Sequence, residues 1–74
     1  MTYFDFLFSQ LFMKKLEEYD YIMEYDEVYN EINYFIMEYN RSTYSLQHKS
    51  EYDCINDFLG VELIPYIMKK YRDE

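Results

Sequence analysis

The sequence predicts an all-α fold, a small bundle of three to four helices that forms one acidic domain over residues 1–74. Three observations predict it. Apolar residues recur three and four apart over several consecutive turns, the period of a helix packed on one side. Turn formers are almost missing, with one glycine and one proline, so a chain of tight hairpins would lack its positive-φ positions. Half of the residues are hydrophobic and 23% are aromatic, which supplies a large core for so short a chain and leaves aromatic surface over.

The elements follow in order. Thr2, with Asp5 three positions on, resembles a helix-start capping arrangement. Phe4, Leu7, Phe8, Leu11, Phe12, Leu16 and Tyr19 then recur at helical spacing. Phe4, Phe6 and Phe8 also alternate as in a strand, but that alternation stops at Ser9 and Gln10, whereas the helical spacing persists. Phe6 and Met13 lie off the main stripe, so this helix is apolar on more than one side.

A second helix is expected from about Asp20 to Tyr39. At about 100° per residue, Tyr21, Tyr25, Val28, Ile32, Phe35, Ile36 and Tyr39 share one sector. Asp20, Glu24, Glu27, Glu31 and Glu38 fall in a second, narrow sector, with Tyr34 filling the gap in their row. Asp20 suits the N-cap, and acids in the first turn suit the positive end of the helix dipole.

Arg41 to Lys49 is polar, has no sustained period and reads as a connection. Ser50 with Asp53 repeats the capping pattern and starts a short helix carrying Cys54, Ile55, Phe58 and Leu59, with Gly60 as its C-terminal cap. Pro65 suits the first turn of a final helix. Ile64, Ile67, Met68 and Tyr71 mark the buried side of that helix, and Lys69, Lys70 and Arg72 suit its negative end. No internal repeat or linker interrupts the domain.

The net charge of −8 is not spread evenly. Between Glu17 and Asn40 stand eight carboxylates (Glu17, Glu18, Asp20, Glu24, Asp26, Glu27, Glu31, Glu38) and no basic residue, while the flanking segments nearly balance. A block of like charge is often a disordered tail. Disordered segments, however, are poor in apolar and aromatic side chains, and this block is laced with Tyr, Ile, Val and Phe. The acidic block is therefore expected to fold.

The chemistry of a catalyst is not assembled. His48 is the one histidine and Cys54 the one cysteine, so four-ligand zinc sites and an internal disulfide are excluded. A single glycine leaves no phosphate-binding loop, and Asp20 to Asp26 lacks the glycine turn of a calcium loop. No enzyme activity, cofactor or metal is expected. The N-terminus has no basic residue before its apolar run and is not read as a signal peptide. No stretch approaches the roughly 20 apolar residues that cross a bilayer, and a cytoplasmic location is expected.

The acidic row has two readings. A solvated outer face explains it if solubility is its whole purpose. Such a face usually mixes signs, because opposite charges one turn apart stabilise a helix and like charges do not. The sharper reading is imitation of a nucleic-acid backbone. Carboxylates one helical turn, about 5.4 Å, apart approximate in sign and line density the phosphates of a strand, about 3.4 Å apart. The residues expected to meet a partner are Glu17, Asp20, Glu24, Glu27, Glu31, Tyr34 and Glu38. Tyr34, with Tyr21 and Tyr25 beside it, would supply aromatic anchors.

In size, charge and composition the chain resembles the small acidic inhibitors that phages and mobile elements direct at host nucleic-acid enzymes. Anti-CRISPR, anti-restriction and uracil-DNA glycosylase inhibitor proteins are among them. These proteins share no motif, so the resemblance carries no residue over. It implies a partner with a basic groove, a host protein that handles nucleic acid. Direct nucleic-acid binding is not expected of a chain at −8, nor is membrane binding, since both call for a basic face. The alternative is a protein–protein adaptor or homo-oligomer, a homodimer among the possibilities, that uses Tyr3, Phe6 and Met13 of the first helix, the acidic face then serving solubility alone.

Overall fold

The computed structural model describes residues 2–73, with side chains as far as Lys70, and contains three α-helices and no strand among them. Helix α1 runs Tyr3–Glu18, α2 runs Tyr25–Arg41 and α3 runs Glu51–Asp73, with one turn of 3₁₀ helix at Tyr44–Leu46 leading into α3. The expected all-α bundle is present, with three helices rather than four.

Helix α1 begins as its sequence implies. The Thr2 hydroxyl accepts from the Asp5 backbone N–H at 3.1 Å, satisfying one of the donors that a helix start leaves over. Leu7, Phe8, Leu11, Phe12 and Leu16 are buried, and Phe4 and Tyr19 pack against them. Tyr3, Phe6 and Met13 remain exposed on the other sides of the helix.

Its end differs from expectation. The Tyr21 N–H reaches back to the Leu16 carbonyl at 2.9 Å and the Asp20 N–H to the Glu17 carbonyl at 3.1 Å. Asp20 itself has φ 51°. This is a Schellman closure with an aspartate in the left-handed position that glycine normally takes, and Tyr21 packs back toward the core behind it. Asp20 is therefore not the N-cap of the second helix. It ends the first, and α2 starts five residues later, after Glu24 in extended conformation. Aspartate tolerates this backbone better than most residues because its short side chain bonds locally, so no glycine marks the boundary in the sequence.

The second half of the chain departs more. The Ser50 hydroxyl accepts from the Asp53 N–H at 3.1 Å, so the expected start holds. The helix then runs on through Gly60 and Pro65 as one element of 23 residues. Gly60 has no positive φ and is not a cap. The i,i+4 pair Val61 and Pro65 lies on the exposed side, so the Val61 carbonyl that loses its donor to proline belongs to the solvent face. On the opposite side Ile55, Leu59, Leu63 and Ile67 form an unbroken buried row that favours continuation. In that phase Ile64 is half-buried and Met68 exposed, rather than both buried. The side chains of Tyr71 and Arg72 lie outside the described residues.

The core is chiefly α1 against α3, and α2 contributes only Phe35 and Tyr39 to its fully buried part. Aromatic rings knit the three helices. Phe58 meets Phe8, Tyr39 and Tyr44 at 6.3, 5.3 and 5.6 Å between centroids, and Phe12 meets Phe35 at 5.6 Å. The Phe58 ring meets Tyr39 and Tyr44 edge-to-face, an arrangement that adds to plain area burial. Lys49 fastens the connection to α3 through Asp57 at 2.8 Å.

Candidate acidic interface

The expected interface residues do not all fall on one surface. Glu17 lies on α1, exposed, and lines a groove with Phe6, Met13, Lys14 and Tyr52, away from α2. Asp20 lies in the closure of α1. Neither continues the row on α2. Glu24 is the exposed N-cap residue of α2, and Glu27, Glu31, Tyr34 and Glu38 follow on the helix itself. The expected single row of carboxylates from Asp20 to Glu38 is thus shortened to Glu24, Glu27, Glu31 and Glu38, with Tyr34 among them.

Their setting is also different from a free solvent face. Glu27, Glu31 and Glu38 are half-buried, while the outermost side of α2 carries Asp26, Asn30, Asn33 and Met37, all exposed. The geometry accounts for this, because Glu31 is one turn from Phe35 on the wheel and so sits on the shoulder of the core stripe. That shoulder faces α3. Tyr34, Glu38, Glu62, Pro65, Tyr66 and Lys69 line a shallow groove of about 270 Å³ between the two helices. Glu62 belongs to this acidic surface although it lies outside the acidic block, and only the continuation of α3 past Gly60 brings it there. Of the residues expected to share the core sector, Tyr25 is exposed instead, because α2 begins at that residue and lies beyond the end of the core.

Tyr66 is the joint between the helices. Its ring stands edge-on to Phe35 at 5.7 Å, and Lys70 Nζ lies 5.6 Å from the ring centroid. Burial, then the negative charges of Glu31 and Glu27 and the nearby Tyr21, push its phenol up to about 12, with a hydrogen bond to Glu31 adding to the rise. Tyr39 is raised in the same direction, first by burial and then by Cys54 and Glu51. A phenol whose folded pKa exceeds its unfolded value near 10 stabilises the fold fully below about pH 10 and loses that contribution as pH climbs through the folded value. Urea midpoints are therefore expected to fall as pH rises from about 10 to about 12. Tyr66→Phe should flatten that fall, leaving the smaller part due to Tyr39. An unchanged slope in the variant would remove Tyr66 as its cause.

Charge compensation within the acidic segment is sparse. Glu18 pairs with Lys15 at 3.8 Å and Glu38 with Arg41 at 3.6 Å, both at the surface, where such pairs contribute little. Glu17, Asp20, Glu24, Asp26, Glu27 and Glu31 have no ion pair among the described residues. No three His, Cys, Asp or Glu side chains gather as metal ligands would among the described residues, and no helix there is long and apolar enough to cross a membrane. Comparison with known protein families, curated proteins and solved structures finds no match, so the reading of this surface rests on its own chemistry.

Proposed function

We propose that this protein is an acidic binding protein that occupies the basic groove of a nucleic-acid-handling protein and blocks it. The observation that carries the reading is the run of eight carboxylates from Glu17 to Glu38, six of them without an ion pair among the described residues. Such a concentration of one sign steers encounter with a basic surface and discriminates against acidic ones. The contact surface comprises Glu24, Glu27, Glu31, Tyr34 and Glu38 on α2, with Glu62 beside them. From Glu24 to Glu38 the surface runs about 21 Å along α2. Tyr34, half-exposed and braced edge-on against Phe35 at 5.4 Å, is the aromatic anchor of that surface.

The test is capture of partners from a bacterial lysate at low and high salt, with duplex DNA as competitor and mass spectrometry as the readout. The expected partner handles nucleic acid, is displaced by duplex and is lost at high salt. Combined Glu24→Lys, Glu27→Lys and Glu31→Gln should reduce capture at least about tenfold. Gln at position 31 removes the charge while keeping the size of the half-buried side chain. Partners indifferent to duplex and to salt would overturn the reading.

A second reading has its own observation, the exposure of Tyr3, Phe6 and Met13 on α1. It makes the chain an adaptor or homo-oligomer with the acidic face serving solubility. Sedimentation separates the two, since a strict monomer at high concentration removes self-association.

A further inference from the structure

The N-terminal half of α2 is poorly covered. Its fully buried residues, Phe35 and Tyr39, both lie in the C-terminal half. Toward the start, Val28 and Ile32 are half-buried, while Tyr25 and Tyr29 are 85% and 66% exposed. Opposite them α1 offers Met13, 47% exposed, and the connection adds Met23. These six side chains line an apolar groove of about 390 Å³ between α1 and α2. A second hollow lined by Asp5, Ser9, Asn33 and Ile36 shares Tyr29 and Ile32 with the first, so the seam continues along α2. From Tyr25 to Ile36 it runs about 16 Å, or three helical turns.

The margin of the seam is acidic. Asp5 lines the second hollow, Glu24 stands between Met23 and Tyr25 in the chain, and Asp26 lies one turn before Tyr29; the last two are exposed. None of the residues lining either hollow is basic. Lys14 lines the groove on the other side of α1, and Lys15 is paired with Glu18.

That charge selects the occupant. A second copy of this chain would meet the seam through the same patch, as two-fold contacts require, and so set carboxylates against carboxylates at −8 per copy. An anionic lipid surface is repelled for the same reason. An apolar side chain flanked by cations satisfies both groove and margin. Methionine adapts to such side chains and exposed tyrosine anchors them, the usual chemistry of a groove that receives an amphipathic helix.

We propose that the α1–α2 seam receives a basic amphipathic helix of the partner. An apolar residue of that helix seats among Met13, Tyr25, Tyr29 and Ile32, and its flanking Lys or Arg residues pair with Asp5, Glu24 and Asp26. The inference rests on the reading of the protein as a binder of basic surfaces and adds an apolar anchor to it.

Two synthetic peptides of equal length and equal lysine count test it by calorimetric titration into the full chain. One carries leucines at helical spacing, and in the other every leucine is glutamine. The leucine peptide is expected to bind at least about tenfold more tightly. Met13→Gln combined with Tyr29→Ser should erase that advantage and leave the glutamine peptide unaffected, both side chains being exposed and outside the core. Glu24→Lys should weaken both peptides. Equal binding of the two peptides to the unsubstituted protein would overturn the apolar anchor while leaving the charge reading in place. A leucine advantage that survives in the Met13/Tyr29 variant would overturn the seam as its location. Failure of both peptides to bind would overturn the seam and the charge reading together. A free protein that dimerises, with the Met13/Tyr29 variant monomeric, would make a second copy the occupant and overturn the proposal.

Discussion

Replacing Phe58 with Ala is expected to cost about 3–5 kcal/mol, the range for deleting a buried aromatic side chain. Domains have about 0.05–0.15 kcal/mol of stability per residue, which for 74 residues is roughly 4–11 kcal/mol. A loss of this size removes much or all of it. The reason lies in where the ring sits. Phe58 is 2% exposed and touches Phe8 of α1, Tyr39 of α2 and Tyr44 of the 3₁₀ turn, so one side chain joins every element to α3. No neighbouring segment can collapse into the space without displacing one of these contacts. Urea unfolding followed by far-ultraviolet circular dichroism measures the effect. Phe6→Ala, at an exposed position of α1, is the control and should change stability by less than about 0.5 kcal/mol. Similar midpoints for the two variants would mean that the ring cluster is not the centre of the core.

Pro65→Ala is expected to act in the other direction and stabilise the protein by about 2 kcal/mol. Proline in a helix interior costs about 3 kcal/mol through the lost N–H and the clash with the carbonyl four residues back. Freeing the unfolded chain from proline's stiffness returns about 0.4–1 kcal/mol of that. Position 65 is exposed, so the new side chain meets no packed neighbour. Gly60→Ala should add about 1 kcal/mol more, since a Cβ there meets nothing within 4 Å and the residue is interior to the helix. Thermal melts of the single and double variants check both. A destabilised Pro65→Ala would show that the helix depends on a bend at this point.

These two residues also mark where the sequence was hard to read. Helix α1 was legible because its cap, its apolar period and its buried face all agree, from Thr2 to Tyr19. The middle was legible as a helix but not in its start. A left-handed backbone at Asp20 needs no glycine once two closing hydrogen bonds hold it, and composition does not reveal that. Gly60 and Pro65 are the only strong punctuation in the chain, and they punctuate nothing. Local propensity at two positions is outweighed by the buried row from Ile55 to Ile67, whose packing partners on α1 are far away in sequence.

The acidic surface was legible in charge and not in place. A row judged by angle alone gives no sense of how wide the neighbouring helix is. Glu31 and Glu38 sit close enough to the core stripe for α3 to cover part of them, and Tyr66 became a partner of Glu31 although nothing in either segment pairs them. Glu62 joined the surface only through the continuation of α3. The seam between α1 and α2 was foreshadowed by the surplus of aromatic residues and the exposure of Met13, but its position required the late start of α2.

The single thiol offers a way to time the molecule. Cys54 is buried in the first turn of α3, close to Tyr39, with its Sγ 3.9 Å from the Lys49 carbonyl. A thiol reagent therefore reaches it through opening of the junction between α2 and α3. At saturating reagent the labelling rate becomes the rate of that opening, and at low reagent it reports the fraction of molecules open. Both clocks run without any introduced label, and a ligand that clamps α2 in place slows them by the same factor by which it suppresses the opening.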